Sequence, residues 1–363
     1  MNIKNNERNI IVFAGYGIGD FIWATSVFPL IKSYDKNIKV TLLTFSNYAT
    51  LIKDLNIVDD YILINHKFFE SKKRILRYMY MLFFAFKNFF KLKKHSEAIF
   101  LDDNNFLIKC LNKICRLKNI YGSDLQCLGY DLKNKYVSSF TNVIKMPKDM
   151  DRFHCMMKYQ YMIRSIFPTY NLSIPVLSST DYLEKRIKQR FLQNTRKYKI
   201  ALCTNGTAEW RYWPTDYFIE LIRNINKQYD VSFFIFGNDK KQYETADVIK
   251  NNLDNNCDIR NLCKQTSLLE FKGMLKHMDL LISVDSSAVH FAAVYNIPTI
   301  TLHGQTLPVR SGAVNHNAVL LCSFEKCSPC DKNLVDGVVC KYPKCMYNIT
   351  TEQVFEKVKE ILK

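Results

Sequence analysis

The sequence predicts an α/β protein made of two doubly wound, Rossmann-like domains in tandem, and three observations predict it. Short apolar runs of strand length alternate with helical lengths over most of the chain, the pattern of parallel sheets covered on both faces. That pattern occurs twice, once from Ile10 and again from about Lys199. Between the two lies a stretch holding Pro147, Pro168 and Pro175, which reads as a boundary. At 363 residues the chain is long for one such domain and comfortable for two.

The first half opens with the buried-strand run Ile10-Ile11-Val12-Phe13 and the glycine turn Gly15-Tyr16-Gly17-Ile18-Gly19. A helix is expected from Asp20 to about Tyr34, with further strands over 40–45 and 98–101. In the second half, strands are expected over 200–203, 231–236, 280–283 and 299–302. Helices over 215–227, 241–253, 268–277 and 287–295 separate them. A last helix, 351–362, begins with Thr350 and Gln353 at capping-box spacing and has Val354, Val358, Ile361 and Leu362 on one face. The expected division is therefore 1–175, then 176–349 with a cysteine-rich segment at 322–345. The terminal helix, 350–363, is expected to pack back on the first domain.

Nearly half of the residues are hydrophobic, and Gly and Pro are scarce, which supports packed cores over disorder. The formal charge is +17, which favours an anionic partner. Nine basic residues and one acid, Glu70, lie between His66 and His95. No nucleic-acid reading module accompanies them, so nucleic acid is not expected. The polar start and the lack of a run of about 18 apolar residues argue for a cytoplasmic protein.

Within the basic stretch, Tyr78 to Phe86 is apolar throughout. Lys72, Lys73 and Arg74 precede it; Lys87, Lys91, Lys93 and Lys94 follow. One reading is an interfacial helix on an anionic membrane, which would make the protein peripheral on the inner membrane. The other is a core helix with a solvated basic end.

Three turns after strands carry the chemistry, because ligands of such sheets bind outside the strand carboxyl ends. In the first, Gly17 and Gly19 allow close backbone approach. Asp20 reads either as a helix N-cap or as a general base. The second is Gly206-Thr207-Ala208-Glu209-Trp210-Arg211-Tyr212-Trp213-Pro214, where Arg211 suits a diphosphate or stacks on a neighbouring Trp. The third is Ser283-Val284-Asp285-Ser286-Ser287-Ala288-Val289-His290. Its helix start favours anions, Asp285 or Ser286 can also be a plain cap, and His290 is a core residue or a ligand.

In this order, followed by a strand and Gly304-Gln305-Thr306, the three turns resemble glycosyltransferase family 9, the ADP-heptose:lipopolysaccharide heptosyltransferases. The likeness runs from Ile10 to the terminal helix and is strongest over 279–304. It implies a GT-B fold, with the acceptor on the first domain and the nucleotide diphosphate sugar on the second. It implies Asp20 as catalytic base of an inverting transfer that needs no catalytic metal. It also implies donor contacts from Gly17, Gly19, Thr207, Arg211, Asp239, Asp285, Ser286, Ser287, His290 and Gly304. Arg211 stands where the family usually has lysine, Ser287 where it has glycine, and Leu307 where an Asp-Pro pair is common.

The expected donor is ADP-heptose. The expected acceptor is a lipid-linked saccharide such as a lipopolysaccharide core. A protein acceptor of the autotransporter type, or a nucleotide-sugar-binding protein without catalysis, are the alternatives. Finally, Cys327, Cys330, Cys340 and Cys345 can form a tetrahedral structural Zn or Fe site. They also resemble the tetracysteine iron site of the autotransporter heptosyltransferase branch. Four thiols without metal are the other reading.

Overall fold

The computed structural model describes residues 8–15, 17–52, 55–69, 74–102, 105–125, 137–178, 180–206, 208–328, 330, 340 and 342–363. Two compact units divide the chain, Met1–Ser178 and Ser179–Lys363.

The first unit contains β1 (Asn9–Phe13), α1 (Ile18–Ala24), α2 (Val27–Tyr34), β2 (Lys39–Phe45), α3 (Ala49–Ile52) and β3 (Asp60–Ile64). It continues with α4 (His66–Phe69), α5 (Arg74–Leu92), β4 (Glu97–Phe100), α6 (Asn105–Cys115), β5 (Asn119–Ser123), β6 (Asn142–Ile144) and α7 (Cys155–Ile166). The second unit begins with α8 (Asp181–Phe191), β7 (Tyr198–Cys203), α9 (Thr215–Gln228), β8 (Val231–Ile235), α10 (Lys240–Asn251) and β9 (Asp258–Asn261). Then come α11 (Leu268–Leu275), β10 (Leu280–Val284), α12 (Ser287–Val294), β11 (Thr299–His303), α13 (Pro308–Ser311), β12 (Ala318–Cys322), α14 (Lys344–Tyr347) and α15 (Thr351–Ile361).

The sheet orders are β3-β2-β1-β4-β5-β6 and β12-β11-β10-β7-β8-β9. Every pairing is parallel. Counted from each unit's own first strand, both sheets have the order 3-2-1-4-5-6 of the doubly wound dinucleotide-binding fold, the second read from its other edge. The central strands are buried along nearly their whole length, as β1, β7 and β10 are, which explains their continuous apolar sequences. The order reverses between β1 and β4 in the first unit and between β7 and β10 in the second. Ligand sites are expected at those two points.

The helix expected over 20–34 is two helices. Thr25 and Ser26 turn their hydroxyls onto the carbonyls of Ile22 and Trp23 (2.6 and 2.7 Å), a back-bonding that loosens a helix. The break is pinned from elsewhere in the unit. The Val176 N–H donates to Thr25 Oγ1 (2.9 Å), and the Ser173 hydroxyl donates to the Ser26 carbonyl (2.6 Å). The proline-bearing stretch thus straps α1 and α2.

The terminal helix α15 packs on α9. Val354, Val358 and Leu362 enter the core of the second unit, and the Thr351 hydroxyl bonds Glu220 of α9 (2.9 Å). The apolar stripe of this helix is thus used within its own unit.

α5 follows neither simple reading. Met81, Phe84 and Leu92 are buried, while Ile75, Met79, Leu82, Phe83, Phe86 and Phe90 are exposed. A narrow strip anchors the helix and a broader apolar stripe meets solvent. No helix among the described residues is long and apolar enough to cross a membrane.

Candidate active site

The first site forms where β1 and β4 part. Gly15 adopts a left-handed φ of +99°, which a side chain would oppose. This turns the chain so that the Gly15 N–H donates to Asp102 Oδ2 at 2.7 Å. Asp102 follows the end of β4 and is buried. Its other oxygen accepts from the Tyr159 hydroxyl of α7 at 2.6 Å. Both oxygens of Asp102 thus accept hydrogen bonds from groups of the same unit.

Asp20 lies in the first turn of α1, which starts at Ile18 with Gly17 as N-cap. The helix therefore begins before Asp20, and Asp20 is not the cap itself. Its Oδ2 instead reaches back to accept the Gly17 N–H at 3.1 Å. A Cβ on Gly17 would stand 2.7 Å from that oxygen, so the glycine makes room for the carboxylate. Burial, and then the neighbouring Asp102 carboxylate, push the Asp20 pKa up to about 7, against the lowering pull of the Gly17 N–H. A carboxylate so tuned can both take and return a proton near neutral pH. Gly19 sits in the same first turn and is partly buried.

The second site forms where β7 and β10 part. A Cβ on Gly206 would lie 3.2 Å from the Asp285 carbonyl and 3.5 Å from Arg211 Cδ, so the two strand-end loops touch. Asp285 is buried. It faces Arg211 Nη1 at 3.5 Å and accepts the Thr306 hydroxyl at 2.6 Å. Since that hydroxyl spends its proton on Asp285, His303 Nδ1, 3.2 Å away, is the donor to Thr306. Burial lowers the His303 pKa against the raising pull of Asp285, and the four side chains form one connected run, His303–Thr306–Asp285–Arg211.

Ser286 caps α12, accepting the Ala288 N–H at 3.3 Å. Ser287 is the first helical residue and is partly buried, and His290 is buried within the helix. Asp239 caps α10 in a reciprocal box with Gln242. Thr207 lies outside the described residues. Gln305 was not singled out in the sequence. Its side chain is buried, and among the described residues neither its amide oxygen nor its nitrogen has a partner. Asp102 was likewise missed, although an acid directly after a strand beside the first one was a readable signal.

Gly304 is held against sulfur: a Cβ there would come within 2.7 Å of Cys345 Sγ and 2.6 Å of Met346 Sδ. The Ser328 hydroxyl bonds the Gly304 carbonyl, and the Cys330 N–H donates to the Gln305 carbonyl (2.8 Å). The cysteine segment therefore buttresses the turn after β11. Burial, then the other three thiols of the set, push Cys345 up to about 12. Burial, then Cys327 and Cys340, also raise Cys330. The four thiols thus share one neighbourhood. Among the described residues, however, no three His, Cys, Asp or Glu side chains are arranged to hold a metal ion.

Two sheets of the same doubly wound kind, in tandem, are the architecture of the GT-B glycosyltransferases. Two solved structures share it along nearly the whole chain. The ADP-heptose lps heptosyltransferase II of E. coli has a TM-score of 0.75 at 16% identity, and the match covers 98% of each chain. A family 9 glycosyl transferase from Veillonella parvula has a TM-score of 0.80 at 15% identity, covering 98% of this chain and 97% of that one. Lipooligosaccharide heptosyltransferase 2 of Campylobacter jejuni serotype O:2 is 27% identical over 285 residues, 74% of this chain and 86% of that protein. A family model described as glycosyltransferase family 9 (heptosyltransferase) matches residues 125–336. The chain belongs to glycosyltransferase family 9.

Proposed function

We propose that this chain is an inverting heptosyltransferase that moves heptose from ADP-heptose to a lipopolysaccharide core or similar cell-surface acceptor. The observation that carries the reading is Asp20, raised to about 7 and placed at the first sheet's switch point. The first unit takes the acceptor and the second the nucleotide sugar. Asp20 accepts the proton of an acceptor hydroxyl while that oxygen bonds to the anomeric carbon from the face opposite the leaving group. The bond from the anomeric carbon to phosphate oxygen breaks, and the electron pair leaves with the nucleoside diphosphate. Arg211, Thr207 and the first turn of α12 at Ser286 and Ser287 stabilise that charge. Gly17, Gly19, Asp239, His290 and Gly304 complete the donor contacts. This scheme routes no step through a metal.

A panel of nucleotides and nucleotide sugars tests the donor by thermal shift, since a ligand of the native state raises its stability. ADP and ADP-heptose are expected to raise Tm by several degrees, about 2–4 °C per kcal/mol of linkage. A larger shift with a uridine or guanosine diphosphate sugar would overturn the donor assignment.

The four cysteines support a second structural proposal: Cys327, Cys330, Cys340 and Cys345 hold a structural zinc or iron. The spacing and shared neighbourhood of the thiols favour it, and the site would brace the Gly304 turn. Elemental analysis of the purified protein is expected to find about one metal per chain, and less than about 0.2 sinks the proposal. The same cysteines favour a protein acceptor as the second reading, which parallel assays with protein and lipid-linked acceptors separate. The exposed apolar stripe and basic end of α5 support a further partner, the anionic surface of the inner membrane on its cytoplasmic side.

A further inference from the structure

Beside α5 the first unit carries an open apolar trough of about 690 Å³. Its walls include Tyr61 and Leu63 of β3, the strand at the edge of the sheet, and Leu76, Met79 and Phe83 of α5, with the exposed Lys87 bordering it. The volume lies inside the range of about 300–1,000 Å³ typical of small-molecule sites. We propose that this trough is a lipid subsite that takes one acyl chain of an anionic phospholipid while α5 lies on the bilayer surface. The inference rests on the membrane reading of α5 and deepens it.

Four features select this occupant. The walls are mainly aromatic and aliphatic, and two polar groups there are already bonded internally. The Asn65 N–H donates to the Tyr80 hydroxyl at 2.6 Å, and Asn88 Nδ2 donates to the Phe84 carbonyl at 2.9 Å. A sugar or peptide would need unspent polar partners in such a place. On the same helix Leu82 and Phe86, each three residues on from a trough residue (Met79 and Phe83), are 73% and 85% exposed, and Phe90 is 83% exposed. Lastly, Lys87, Lys91, Lys93 and Lys94 are all exposed on or just beyond the same helix. These cations attract an anionic headgroup and repel the same face of a second copy.

The test uses the full-length protein and two probes. The first is a palmitoyl lysophosphatidylglycerol with a photoreactive group in its chain, used below its micellar concentration. The second is sedimentation with phosphatidylcholine vesicles, with or without phosphatidylglycerol. Adducts are expected on peptides spanning residues 61–63 and 76–83. Leu63→Trp, and independently Met79→Trp, should cut labelling at least about tenfold, the weight of about two buried methylenes, by filling the trough. Both should still sediment with anionic vesicles. Phe86→Glu should do the reverse, losing sedimentation and keeping the adduct. Labelling that ignores both tryptophan variants, or that falls only on the outward stripe, overturns the trough as the site. So does an absence of labelling when anionic vesicles still carry the protein down. Labelling in the trough without any preference for anionic vesicles overturns the membrane reading and leaves the chain subsite standing.

Discussion

Replacing Asp20 with Asn is expected to lower kcat by about 10²–10⁴-fold, the usual contribution of a positioned general base. Binding of ADP-heptose, measured by thermal shift, should stay close to wild type. Asn is isosteric and its Oδ1 can still accept the Gly17 N–H, so the turn need not move. Near wild-type turnover would remove Asp20 from the reaction.

The pH dependence gives this prediction a sign. The base must be ionised, so wild-type kcat/KM should rise with pH along a limb centred near 7, where Asp20 titrates. Asp102→Asn removes the carboxylate that helps to raise Asp20, and should move the limb to lower pH. Stability should run the other way. Asp20 in the folded protein titrates near 7, against an unfolded value near 3.8. From about pH 4 to 7 the folded state therefore keeps a proton that the unfolded chain has lost, and stability falls as pH rises through this window. Asp20→Asn abolishes that loss. The inactive variant should melt above wild type at pH 8, by about 2 °C or more, with the gap closing toward pH 4.

Arg211→Ala should be the second large loss, about 10²–10³-fold in kcat/KM, the scale for removing one donor to developing negative charge. Two effects combine. The leaving diphosphate loses its guanidinium, and the buried Asp285 loses the cation 3.5 Å away, keeping Thr306 as a bonding partner. An uncompensated buried carboxylate destabilises, so Tm should fall as well. Arg211→Lys retains the charge but not the planar fork, and is expected to recover most of the activity and of the ADP-induced shift. If Arg211→Ala keeps kcat/KM within about twofold of wild type, the phosphate role is wrong.

Much of this was legible in the sequence because the central strands of doubly wound sheets are buried on both faces and write themselves as apolar runs. β1, β2, β4, β7, β8, β10 and β11 all fall where such runs stand. The strands at the edges were harder. β6 has only three residues, none of them fully buried, and β9 is the polar run Asp258-Ile259-Arg260-Asn261. Neither carries a periodic signal strong enough to read.

The same physics governs the sites. Asp20, Arg211 and Asp285 stand in local motifs with glycine, proline or serine beside them. Asp102 and Tyr159 reach Asp20's turn only through the fold, from distant parts of the chain. Asp20 itself was legible as a candidate base, but the rise in its pKa was not, since that comes from burial and then from Asp102, which the motif does not contain. For α5, composition revealed the apolar run and its basic end; which of its faces packs inward depends on β3 and α6.

Because each sheet places its reactive loops at the carboxyl ends of its strands, the opposite rim of each sheet is free for engineering. The exposed turns at Lys36 and Asn37, before β2, and at Asn255 and Asn256, before β9, lie on those opposite rims. A short tag or fluorophore inserted at either turn should leave transfer intact. A label on each unit would then give a distance that reports directly on any motion between the halves during turnover.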